Sequence, residues 1–150
     1  MPSYYLMSVT NADRWTGDGG PYTASSDMTV TVMDRACRMF RFRIRKGFRC
    51  DGLSVPWAFR WFLPSWDRKN HIYNLAGAIH DGLYTFRGCG LFGREECDDI
   101  FRSILRDSGI SRFKAGMADK AVEWFAGGKN HWGNDNYGNA GLFSAALVSL

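Results

Sequence analysis

NLAGAIHDGLYTFRGCGLFGREECDDIFRSIL, residues 74–105, reads as two short helices joined by a glycine-rich turn, and the rest of the chain is organised around it. In its first half Leu75, Ala76, Ile79 and Leu83 recur at helical spacing, which places His80 at the margin of a buried stripe. In its second half Cys97, Ile100, Phe101, Ile104 and Leu105 keep the same period, and Asp98 turns partly inward with them. Asp99 falls instead in a row with Glu95, Arg102 and Arg106 that suits water. An acid facing a core must be paired, hydrogen-bonded or metal-bound, because an isolated buried carboxylate costs several kcal/mol. The nearest partner is the facing helix, which carries His80. The expected helices run 71–87 and 93–107, and the three glycines of RGCGLFG between them permit a tight reversal, so the pair should be antiparallel.

Working outward, the segment before this hairpin reads as sheet. YYLMSV at 4–9 is a first strand, residues 11–27 are turn-rich, and MTVTVMD at 28–34 is β-branched and alternating. The clearest strand lies in RACRMFRFRIRKGFRC, residues 35–50, where Phe40, Phe42 and Ile44 alternate with Arg41, Arg43 and Arg45. One face is apolar and the other is arginine, either a solvated outer face or a surface for anionic lipid or nucleic acid. CDGLSVPWAFRWFLPSW follows at 50–66, with a turn at Asp51 and Gly52, and its aromatic end is a short packed helix or a wedge for a membrane or partner. Beyond the hairpin a third helix is expected at 111–126, with Ser111 as N-cap and Phe113, Met117, Val122 and either Phe125 or Trp124 buried.

The fold class is therefore α+β, an N-terminal antiparallel sheet followed by three packed helices. Residues 1–126 form one globular domain, and the Gly/Asn-rich segment 127–150 ends in LFSAALVSL, a last element or a tail docking on another chain. A hydrophobic content of 45% with 23% charged residues argues against disorder. A net charge of +4 favours anionic surroundings without choosing among them. Cys37, Cys50, Cys89 and Cys97 form no C-x-x-C pair and read as free thiols. No signal peptide and no apolar run near the roughly 20 residues of a membrane span is visible.

The polar residues of the hairpin suit a division of labour. His80 and Asp81 are adjacent on one helix and so point about 100° apart. The imidazole can handle a proton while the carboxylate holds a hard cation such as Ca²⁺, helped by the Gly-containing turn from Asp51 to Ser54. Asp98 can accept the far imidazole N–H and support the charged ring, and Tyr84 can brace the acid through its hydroxyl. The plainer alternative is that the histidine and the acid only tie two helices together. His71, His80, Asp81 and Asp98 also supply the letters of an HD-type phosphohydrolase, but too few helices surround them. The cysteines and histidines lack zinc-ligand spacing.

Three ordered motifs carry a resemblance: Gly47, Phe48, Asp51, Gly52, Ser54, Val55 and Pro56; then His80, Asp81, Leu83 and Tyr84; then Arg94, Glu95, Asp98, Ile100 and Phe101. Over about residues 40–126 the chain resembles the phage and prophage family catalogued as domain of unknown function 1353. That resemblance implies a gene product of tailed phage, found in the host cytoplasm during infection or in the virion, with other virion proteins or copies of itself as partners. The hairpin is also similar to the phospholipase A2 superfamily, especially its viral capsid branch. This likeness implies His80 as base, Asp98 as its partner, Tyr84 as support and Asp81 as Ca²⁺ ligand. The Tyr-x-Gly-x-Gly calcium loop of that superfamily is absent, and the turn at Asp51 stands in its place. Two functions are expected from these readings: a metal-assisted ester hydrolase, or a non-catalytic virion or tail component.

Overall fold

The computed structural model describes residues 3–17, 21–51, 66–112, 114, 116, 117, 120 and 132–148. At its centre is the hairpin of β4 (Met28–Asp34) and β5 (Met39–Ile44), in which Val30 pairs with Phe42 and Val32 with Phe40. Those four side chains are buried, while Arg41 and Arg43 stand opposite Thr31 and Thr29 on the other face. The period-two alternation thus has its expected cause, one face on a core and one on solvent. Asp34 closes the turn: Oδ1 accepts the N–H groups of Ala36 and Arg38 at 3.0 and 2.9 Å, and Oδ2 accepts Arg38 Nε at 2.8 Å.

β1 (Tyr4–Thr10) flanks β4 with a bulge between Leu6 and Ser8, and β7 (Phe143–Val148) flanks β5, giving the antiparallel order β1-β4-β5-β7. The sheet's last strand thus comes from the segment 127–150, and its Phe143 lies in the hydrophobic core. A second sheet, order β2-β3-β6, joins Trp15–Thr16, Tyr22–Ala24 and Arg49–Cys50. Two of these short strands fall where the sequence shows only turns. They are held by pairings such as Tyr22 with Cys50, which local composition cannot reveal.

Two α-helices are described, α1 (His71–Thr85) and α2 (Arg94–Asp107). Asn70 caps α1 by accepting the Tyr73 N–H at 3.1 Å, and its own amide reaches the Ser108 carbonyl beyond the far end of α2 at 3.1 Å. The start of α1 therefore lies beside the end of α2, and the helices are antiparallel. Helix α1 ends at Thr85, sooner than the expected 87, because Arg87, Gly88, Cys89 and Gly90 all take positive φ, at 52°, 69°, 55° and 75°. For the two non-glycines that conformation costs about 1–2 kcal/mol each, and it turns the chain within four residues. Of the third helix expected at 111–126, Arg112, Lys114, Gly116, Met117 and Lys120 are helical, and the remainder lies largely outside the described residues. The Gly52–Pro56 turn, most of the 58–66 aromatic segment and His131 also lie outside them.

Helix α2 covers the open edge of β1 with side chains spaced one turn apart. Asp99 Oδ1 accepts the Ser3 N–H at 3.0 Å, Ser103 Oγ that of Tyr4 at 3.2 Å, and Asp107 Oδ2 that of Leu6 at 2.9 Å. Arg106 donates to the Tyr4 carbonyl at 2.6 Å. Asp99 and Arg106, expected to face only water, instead satisfy a strand edge that would otherwise template pairing with another chain. Among the described residues no helix is long and apolar enough to cross a membrane.

Helix α1 meets β7 at Gly82, where an added Cβ would overlap the ring of Phe143. In an open helix Gly→Ala gains about 1 kcal/mol, but overpacking a core costs about 1–3 kcal/mol. Gly82→Ala should accordingly lower the denaturation midpoint; an unchanged or raised midpoint would mean that β7 does not seat on α1.

Candidate functional site

Residues His80 and Tyr84 stand one turn apart on α1, and both face the start of α2. His80 Nε2 lies 2.9 Å from Asp98 Oδ1, and the Tyr84 hydroxyl donates to the same oxygen at 2.7 Å. An ionised carboxylate only accepts, so the neutral imidazole carries its proton on Nε2 and keeps a lone pair on Nδ1. The ring is held between Tyr84, 4.3 Å between centroids, and Phe101 at 4.9 Å. The side chains of His80 and Asp98 are 17% and 10% exposed, so the pair sits at the rim of the core and is not sealed within it.

Burial first, then the hydrogen bond to Asp98 and the charge of that acid, push the Tyr84 phenol well above its ordinary range, so it remains a donor. Opposing them is Arg94, the first residue of α2, which donates to the Tyr84 hydroxyl oxygen. The Arg94 guanidinium also lies 6.0 Å from the ring of Trp132, which meets Tyr84 edge-on at 5.3 Å. Gly133 N–H closes onto the Tyr84 carbonyl at 2.8 Å. Trp132 is a neighbour that the sequence did not single out. It follows a Gly/Asn-rich stretch with no periodicity to mark it.

Asp81 faces away from this pair toward Asp51, whose backbone N–H it accepts. Burial, followed by the Asp51 charge, pushes the Asp81 carboxyl up to about 8. Asp51 in turn accepts a hydrogen bond from Tyr137, whose phenol is raised by burial and then by that bond. Tyr137 is the third member of this cluster, brought in by the loop before β7, and nothing in its sequence surroundings pointed to Asp51.

A carboxyl made hard to ionise by burial and by the charge of a second acid is one whose charge a hard cation would relieve. Among the described residues no group of three metal-ligating side chains occurs, and the Gly52–Ser54 carbonyls expected as further ligands lie outside them. A pH dependence follows. With its folded pKa raised, Asp81 contributes stability that is full below about pH 4, where the unfolded chain is also protonated, and is lost as the pH rises toward about 8. In chelator, denaturant-measured stability should fall between about pH 5 and about pH 8 by at least about 1 kcal/mol, and Asp81→Asn should flatten that fall. Identical pH profiles for parent and variant would contradict the raised carboxyl.

The family described as "Protein of unknown function (DUF1353)" matches residues 27–122. No curated protein and no solved structure matches the chain.

Proposed function

Because the chain belongs to the DUF1353 family, whose description names no activity, we propose a function from the site itself: metal-assisted hydrolysis of an ester, of the phospholipid type, with His80 as general base. The observation that supports this reading most is the pair of hydrogen bonds to one oxygen of Asp98, from His80 at 2.9 Å and Tyr84 at 2.7 Å. It is the arrangement that fixes a tautomer and leaves Nδ1 able to take a proton. Nδ1 removes a proton from a water as the water oxygen attacks the ester carbonyl carbon. Asp98 stabilises the imidazolium so formed and holds the ring in place, while Tyr84 holds Asp98. The proton then passes from Nδ1 to the leaving alkoxide as the carbon–oxygen bond breaks, releasing acid and alcohol. Asp81 and Asp51 would hold a hard cation such as Ca²⁺, whose chemistry is to stabilise an oxyanion. The exposed Arg41, Arg43 and Arg45 give the protein a cationic face suited to an anionic lipid surface.

The test is fatty-acid release from mixed phosphatidylcholine and phosphatidylglycerol vesicles, with Ca²⁺ and with chelator. Release above background that depends on the cation is expected. No release by folded protein across several divalent cations would remove this function. A second reading, a virion or tail component that binds neighbouring subunits, draws on Leu147, which is 56% exposed on the edge strand β7. Mass spectrometry of purified phage particles tests it, and detection only in infected-cell lysate would count against it.

A further inference from the structure

A second site lies at the other end of α1. A cavity of about 500 Å³ opens there, walled by Trp15, Tyr22 and Trp66, with Arg68, His71 and Asp13 around it. His71 and His80 are nine positions apart on one helix, about 13 Å along the axis and half a revolution around it. The cavity therefore shares no face with the Asp98 pair. Its volume falls in the range of about 300–1,000 Å³ common to small-molecule sites.

The wall is pre-formed. Tyr22 and Trp66 stack with ring centroids 3.8 Å apart and planes 8° from parallel, and Trp15 meets Trp66 edge-on at 5.3 Å. Trp15 is fixed in turn by its indole N–H to the Ala12 carbonyl at 3.0 Å and by the buried Phe48 ring at 6.5 Å. The three rings remain only partly buried, though they come from β2, β3 and the approach to α1. Aromatic side chains of this kind are the usual lining of small-molecule sites.

The charge narrows the ligand. Of the six side chains named, Asp13 is the one acid, and Arg14 lies 3.8 Å from it. Arg68 and His71 supply donors, and Arg68 matches an oxyanion better than a neutral hydroxyl does. Thr16 adds a hydroxyl to the lining, and the Arg68 guanidinium gives the cleft a cationic group that a neutral sugar would not use. We propose that the cleft binds a flat aromatic ring bearing an acidic group, of the nucleoside monophosphate class, with the ring on the Trp15–Tyr22–Trp66 wall and the phosphate toward Arg68 and His71.

The experiment follows the tryptophan indole N–H signals of the ¹⁵N-labelled full chain by NMR, with Trp66→Phe used to assign Trp66. Adenosine monophosphate is titrated beside adenosine, ribose 5-phosphate and N-acetylglucosamine. Saturable movement of the Trp15 and Trp66 signals is expected with the nucleotide. Adenosine and ribose 5-phosphate should each bind at least about tenfold more weakly, and Arg68→Gln should weaken nucleotide binding about tenfold or more. Because Arg68 is exposed, this variant should keep the fold, and its unshifted spectrum without ligand checks that. No saturable movement at millimolar nucleotide would overturn the proposal. So would equal binding of N-acetylglucosamine, or nucleotide binding indifferent to Arg68→Gln.

Discussion

His80→Ala is expected to lower ester hydrolysis by about 10²–10⁴-fold, the contribution of a positioned general base. Its melting temperature should move far less than its rate. The imidazole lies at the rim of the core, 17% exposed, and its removal leaves Asp98 still bonded to the Tyr84 hydroxyl at 2.7 Å. Asp98→Asn should also slow the reaction. An amide can present its N–H₂ to Nε2, which turns the imidazole to the opposite tautomer and places the proton on the nitrogen that must receive one. Equal hydrolysis by parent and His80→Ala would show that any activity present arises elsewhere.

The largest loss of stability is expected from Asp98→Ala. Asp98 is buried and is the shared acceptor of two donors, so its truncation orphans the Tyr84 hydroxyl and the His80 N–H together. An unsatisfied buried donor costs about 1–3 kcal/mol. His80 reaches some solvent, which discounts its share, so about 2–4 kcal/mol in total is the reasonable sum. For a chain of this size that corresponds to a fall of roughly 5–15 °C in melting temperature. Glu95→Ala on the exposed face of the same helix serves as the control and should stay within about 0.5 kcal/mol of the parent. Asp98→Ala melting beside the control would mean that the two donors find water instead, and that the hairpin is looser than its hydrogen bonds indicate.

The hairpin could be read from sequence because both of its halves obey one rule, apolar residues at helical period, and because a carboxylate that breaks the rule must have a partner. Asp98 broke it, and the partner is His80. The strand 28–34 was equally plain, its β-branched alternation matching β4 to the residue. What escaped depends on contacts between distant parts of the chain. Trp15–Thr16 becomes a strand only against Tyr22–Ala24, and that strand only against Arg49–Cys50. Trp132 and Tyr137 sit in a polar loop, yet they reach Tyr84 and Asp51 because β7 returns the chain to β5. Asp99 looked like a solvent-facing acid because helical period reports which face a residue takes and not that a strand edge waits beside it. The two site clusters thus differ in origin: the Asp98 pair is nearly local, whereas the Asp51, Asp81 and Tyr137 cluster depends on the sheet closing.

Every step of the proposed hydrolysis depends on Asp98 fixing the His80 ring with Nδ1 bare. The ¹⁵N spectrum of the histidine side chains at alkaline pH, with His80 assigned by its substitution, measures this directly. The prediction is a pyrrole-type signal for Nε2 and a pyridine-type signal for Nδ1, reversed or averaged in Asp98→Ala. A parent protein in which Nδ1 carries the proton, or in which the two nitrogens average as in free imidazole, would contradict it.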